Sequence, residues 1–136
     1  VSKSIPTISK YMSTTPLAVE PSTTLFLAMK QMQDKNIRHL PVIAGEMLVG
    51  IVTLSDLRLV SGMSGVKAEQ VKIEDIMHRE PFVCAPDSPL DETVDTMVAH
   101  KWGSAVVMQN KKVVGIFTSI DAMRALVELS RTRLGK

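Results

Sequence analysis

GIVTLSD, residues 50–56, returns as GIFTSID at residues 115–121, 65 positions further along a chain of 136 residues. The same offset of 65 relates Met12 to Met77, Pro16 to Pro81 and Pro21 to Pro86, with no gap. Between 12–56 and 77–121 it produces 11 identities, among them Leu25/Leu90, Met32/Met97, Val42/Val107, Val49/Val114, Thr53/Thr118 and Asp56/Asp121. Average residue usage gives about 3 in such a span by chance. The chain is therefore one sequence written twice. Two copies are too few for a solenoid, so the halves are expected to pack on each other about a pseudo-two-fold axis.

Each copy changes its periodicity in the same order. Pro16 to Pro21 reads as a short extended piece, because a proline holds the residue before it in β or polyproline conformations. Leu25, Ala28, Met29 and Met32 then recur at helical spacing behind Ser22 or Thr23 as a cap, and Leu90, Val94, Met97 and Val98 repeat the pattern behind Asp87 or Ser88. Two β-branched runs follow, Leu40 to Ile43 and Leu48 to Val52, around the turn at Ala44-Gly45-Glu46. Their counterparts are Ala105 to Met108 and Val113 to Phe117, around Asn110-Lys111-Lys112. A last helix opens after Thr53 and Thr118, carrying Leu57 and Val60 in one copy and Met123, Leu126 and Val127 in the other. The expected fold is α/β (α+β), two β-α-β-β-α repeats at 5–62 and 74–130 joined by a linker at 63–73. Ser61-Gly62-Met63-Ser64-Gly65 breaks the helix before that linker, and a short helical turn spans Glu74 to Met77.

Composition narrows the function. Hydrophobic residues make up 45% and charged residues 22%, which argues against disordered and fibrous classes. At this length roughly 68% of the unfolded chain's surface can be buried. The net charge of +2 does not suggest a dedicated nucleic-acid binder, and the basic tail of Arg131, Arg133 and Lys136 reads as a solvated helix end. A lone cysteine, Cys84, cannot pair within the chain, which favours a reducing compartment. No apolar run reaches the roughly 20 residues of a membrane helix, and the N-terminus lacks the order of a signal peptide. The expectation is a cytoplasmic protein; a first residue of Val1 instead of Met is consistent with a segment of a longer one.

Thr-x-x-Asp at the start of a helix has two readings. One is a capping box, with Thr53 and Thr118 as N-caps. The other is a ligand site: unpaired N–H groups and the helix dipole favour phosphate, and a carboxylate can accept both vicinal hydroxyls of a ribose. The two are compatible. The nine methionines read as adaptable core, and Trp102 as either packing or a stacking wall. Cys84 reads as buried and inert. His39, His78 and His100 lack metal-ligand spacing, so no metal site is expected. Nucleophile elbows, phosphate-binding Gly-rich loops and His-Glu-x-x-His motifs are missing too, and no nucleophile and base pair stands out.

The two Gly-x-x-Thr-x-x-Asp segments, each behind a hairpin and behind Pro-x4-Pro with an amphipathic helix, resemble tandem CBS domains, a pair of which forms a Bateman module. The likeness covers about residues 5–130, and IRHLPV at 37–42 strengthens it. It implies a regulatory module without catalysis of its own, binding an adenosine-containing ligand (AMP, ADP, ATP or S-adenosylmethionine) in clefts between the copies. It also implies a homodimer formed through helical faces and a regulated partner domain or protein. One cleft would use Thr53 and Asp56, with Arg38 and His39 toward the phosphates and Met77, Phe82, Trp102 and Gly103 on the base side. The other would use Thr118, Asp121 and Ser104, with Met12, Leu17, Ile37 and Arg38 opposite. Gly103 and Ser104 replace Arg38 and His39 in the second copy, and Lys101 or His100 compensates only if it points inward. Asymmetric ligand binding follows from that difference. A ligand-free dimerisation scaffold and a small nucleotide-processing enzyme are the competing readings.

Overall fold

The computed structural model describes residues 4–14 and 17–134; Pro16 and Lys136 lie outside them. Its elements follow the repeat. In the first copy they are helix α1 (Leu25–Lys35), strands β1 (His39–Ala44) and β2 (Met47–Thr53), and helix α2 (Leu54–Ser61). The second copy has strand β3 (Val83–Cys84), helix α3 (Leu90–His100), strands β4 (Ser104–Gln109) and β5 (Lys112–Thr118), and helix α4 (Ser119–Leu129). Single 3-10 turns stand at Ile8–Lys10 and Ile73–Asp75, and a π turn at Ser130–Leu134 follows α4.

The hairpins form because their turns are chemically suited to them. Gly45 alone takes positive φ, +61°, in the first, at the turn position where glycine has no steric cost, while Asn110 and Lys111 take φ +54° and +65° in the second, the paired positive φ that matches the twist of a two-residue β turn. Both hairpins carry an irregularity at the same place, after Val42 and after Val107, the partners of Gly50 and Gly115. In the first copy Val19 bridges Val42 in parallel, and in the second β3 pairs β4 in parallel. Helices α1 and α3 each end on a left-handed residue, Asn36 and Lys101.

The compact units do not follow the sequence repeats. One unit is Pro16–Pro81, and the other is Val1–Thr15 together with Phe82–Lys136. The stretch that precedes each copy thus completes the other copy's core. In the 16–81 unit, Leu25 N–H donates to the Val71 carbonyl at 2.8 Å, Ile73 N–H donates to Thr23 at 2.8 Å, and Ile51 and His78 exchange bonds of 2.9 and 2.8 Å. In the other unit, Leu90 N–H donates to Pro6 at 2.9 Å, Ile8 N–H donates to Ser88 at 2.9 Å, and Ser13 and Ile116 exchange bonds of 2.9 and 3.1 Å. Ile8 and Ile73 are both fully buried, each stabilising its core by about 1.5–3 kcal/mol. Ile73 joins Leu25, Met32, Leu40, Val52 and Leu57; Ile8 joins Leu90, Met97, Ala105 and Phe117.

These straps correct several local expectations. The α1 cap is Thr24, whose Oγ1 accepts from Leu27 N–H at 3.2 Å, and not Ser22 or Thr23, because the Thr23 carbonyl is bound to Ile73. Neither Asp87 nor Ser88 caps α3. Pro89 holds that position, Ser88 Oγ accepts from Ala85 N–H at 2.9 Å, and the first helical N–H goes to Pro6. Val98 points to solvent, while Thr93 is buried by donating its hydroxyl to the Pro89 carbonyl at 2.9 Å. On α4 the buried residues are Asp121 and Ala125, and Met123, Leu126 and Val127 are exposed.

Candidate functional site

Where β2 turns into α2, the hairpin register sets His39 opposite Thr53, and Leu54 N–H donates to the Arg38 carbonyl at 2.9 Å. Arg38, His39, Thr53 and Asp56 therefore share one end of the 16–81 unit. Thr53 does cap α2, its Oγ1 accepting from Asp56 N–H at 3.1 Å. That bond uses a lone pair and leaves the hydroxyl proton free to donate. The Asp56 carboxylate is exposed, with no hydrogen bond or ion pair among the described residues. Burial, and secondarily the Arg38 charge, hold His39 below its ordinary pKa. At neutral pH it is an uncharged imidazole beside a permanent cation, and an arriving anion favours its protonation.

The equivalent end of the second unit is built alike and populated differently. Ser104 stands opposite Thr118, and Ser119 N–H donates to the Gly103 carbonyl at 3.0 Å. Here the carboxylate turns inward. Asp121 Oδ2 accepts from Thr118 N–H at 2.9 Å and from Thr118 Oγ1 at 3.2 Å, and Oδ1 lies 3.5 Å from Arg124 Nη1. His100 does not stand in for the missing cation: its ring stacks on Trp102 with centroids 4.1 Å apart, and Nδ1 lies 3.1 Å from the Thr96 carbonyl. Lys101 is the left-handed cap of α3.

The remaining candidates divide between the units. Met77, Leu17 and Ile37 belong to the 16–81 unit, and Met12, Phe82, Trp102 and Gly103 to the other. Phe82 and Trp102 are in aromatic contact, centroids 5.1 Å apart. Met77 and Met12 lie against the motif glycines. A Cβ on Gly50 would meet Met77 Sδ and the His78 carbonyl at 2.8 Å, and one on Gly115 would meet the Ser13 carbonyl at 2.6 Å and Met12 Sδ at 3.0 Å. The repeated Gly is thus the point where a strap crosses a strand. Motif spacing misses two residues. Ser55, exposed in the first turn of α2, follows the helix-start rule; Arg124 is signalled only by its i,i+3 distance from Asp121.

Other chemistry is poorly supplied. Cys84 is half-buried where the sequence suggested full burial; even so, burial pushes its thiol up to about 11, so it is protonated at neutral pH and a poor nucleophile. Among the described residues no group of three His, Cys, Asp or Glu side chains gathers to hold a metal, and no helix is long and apolar enough to cross a membrane.

The family described as CBS domain matches residues 8–61 and again 73–128. Protein YlbB of Bacillus subtilis is 36% identical over 113 residues, covering 82% of this chain and 74% of its own length. Three longer curated relatives are matched over only 13%, 43% and 23% of their length. The CBS domain pair of protein MJ0100, solved in complex with 5'-methylthioadenosine and S-adenosyl-L-methionine, superposes with a TM-score of 0.83 at 27% identity, covering 92% of this chain and 98% of its own. CBSX2 in complex with AMP superposes with a TM-score of 0.78 at 25% identity, with coverages of 92% and 98%.

Proposed function

We propose, from the premise that this chain belongs to the CBS domain family, that it is a non-catalytic regulatory module binding an adenosine-containing ligand at the Arg38, His39, Thr53 and Asp56 end of the 16–81 unit. One observation carries the reading: an exposed, unpartnered carboxylate stands beside a free hydroxyl proton, a permanent cation and an imidazole that an anion would protonate. Asp56 suits the vicinal hydroxyls of ribose; Arg38, His39 and Thr53 suit a phosphate or another anionic group. The likeness to pairs solved with S-adenosyl-L-methionine and with AMP supports the ligand class. The exposed apolar residues of α4, Ile120, Met123, Leu126 and Val127, support pairing of two chains, which light scattering of wild type and Leu126→Asp tests: a dimer that becomes monomeric is the expected result, and a wild-type monomer refutes the pairing. A regulated partner domain or protein completes the proposal.

The competing reading, a ligand-free scaffold, draws on the caps, since Thr53 and Asp121 both make capping bonds. A thermal-shift panel of AMP, ADP, ATP, S-adenosylmethionine, NAD and adenosine separates the two. A ligand at 100 times its Kd adds about 2.7 kcal/mol. Asp56→Ala removes no protein contact, so it leaves basal stability within about 1 kcal/mol and abolishes the ligand-induced rise. A folded protein that responds to none of the six favours the scaffold.

A further inference from the structure

We infer that Asp121 is a structural carboxylate, closed to ligand, so that the chain carries one acceptor for a vicinal diol, Asp56, and takes one adenosyl ligand per chain. This rests on the ligand reading above and adds its stoichiometry. The two aspartates occupy the same place in the same motif, yet their lone pairs are spent differently. Accepting both hydroxyls of a diol needs oxygens free to turn outward. Both accepting positions of Asp121 Oδ2 are taken within the chain, by Thr118 N–H and Thr118 Oγ1–H, and Oδ1 faces Arg124. The residue is only 8% exposed. Turning it out to a ligand would strip the acceptor from the Thr118 N–H.

The substitutions around the two acids agree with that division. The position of Arg124 is Leu59 in the first copy, so no cation stands one helical turn after Asp56, and Arg58, two residues on, makes no ion pair with it among the described residues. The positions of Arg38 and His39 are Gly103 and Ser104 in the second, so nothing there draws an anionic ligand toward Asp121. The first unit keeps its cations for a ligand; the second places its nearest one against its own acid.

Calorimetric titration of the full chain with AMP and with adenosine gives the stoichiometry. One equivalent is expected, abolished by Asp56→Ala, while Asp121→Asn changes Kd less than threefold and lowers the melting temperature. Two equivalents of similar affinity, or equal losses of affinity on changing either aspartate, would overturn the inference. Amide hydrogen exchange keeps it separable from the ligand reading. If no adenosyl compound binds, that reading fails. The closed carboxylate is then tested by the Thr118 amide, expected to exchange at least tenfold more slowly in wild type than in Asp121→Ala. Equal exchange refutes the closure with or without ligand. Should Asp121→Ala not fold, Asp121→Leu, which is of similar size and has no acceptor oxygen, serves for the same comparison.

Discussion

Replacing Gly115 by Ala places a methyl carbon 2.6 Å from the Ser13 carbonyl oxygen and 3.0 Å from Met12 Sδ. The methionine can swing aside, but the carbonyl belongs to a backbone that has little room to yield. Ser13 is held to Ile116, the next residue on the same strand, by bonds of 2.9 and 3.1 Å, and five residues earlier Ile8 is buried in the same core. Relieving the overlap means surrendering that pair of bonds, at about 0.5–1.5 kcal/mol each, or accepting overpacking of about 1–3 kcal/mol. The smaller conformational freedom of Ala in the unfolded chain offsets about 0.4–1 kcal/mol. The net expectation, about 2 less about 0.7 at mid-range, is a loss of about 1.3 kcal/mol, read in urea as a lower midpoint with an unchanged m value. Gly50→Ala, with the His78 carbonyl and Met77 Sδ both at 2.8 Å, behaves alike. A Gly115→Ala protein within about 0.5 kcal/mol of wild type would refute the strap-crossing account of the glycine.

The exchanged straps predict that Ile73→Ala destabilises the 16–81 unit by about 2–5 kcal/mol, as for other buried aliphatic truncations, and that 5–62, which lacks Ile73, shows no cooperative unfolding where 16–81 does. His39, held below its ordinary pKa by burial and by Arg38, binds its proton more readily in the unfolded chain. The stability it contributes is complete above about pH 6.5 and is lost as the pH falls from there through the folded value. His39→Gln removes that part of the acid sensitivity, and an NMR titration of the ring shows its pKa rising when AMP binds. Cys84, with its thiol pushed up to about 11, carries roughly 300-fold less thiolate at neutral pH than a free cysteine near 8.5. Alkylation by iodoacetamide should slow accordingly, and a rate near that of free cysteine would contradict the burial.

Local pattern reaches far in this protein wherever the physics is local. The β-α-β-β-α order follows from periodicity and turn residues, and the meeting of Arg38, His39, Thr53 and Asp56 follows from a hairpin whose register places residue 39 opposite 53. The caps were less legible because a helix end competes for its neighbours' bonds: the Thr23 carbonyl is claimed by Ile73, and the first α3 N–H by Pro6. The outward face of α4 is hidden in the pattern for a similar reason. Met123, Leu126 and Val127 have helical spacing, but only packing chooses Asp121 and Ala125 as the inner face.

The repeat itself, the motif glycines and the Thr-x-x-Asp helix starts were determined by sequence alone, because each is a matter of residue type at fixed separation. Self-comparison is blind to exchange: an offset of 65 carries Met12 onto Met77 and Gly50 onto Gly115, and it fits equally well whether Met12 rests on Gly50 or on Gly115. Tertiary structure chose Gly115 for Met12 and Gly50 for Met77. Local side-chain conformation, which the motif leaves open, separated two aspartates that the motif makes equivalent. A carboxylate's availability depends on which donors fold reaches it, and Thr118 with Arg124 reach Asp121 while Asp56 remains open.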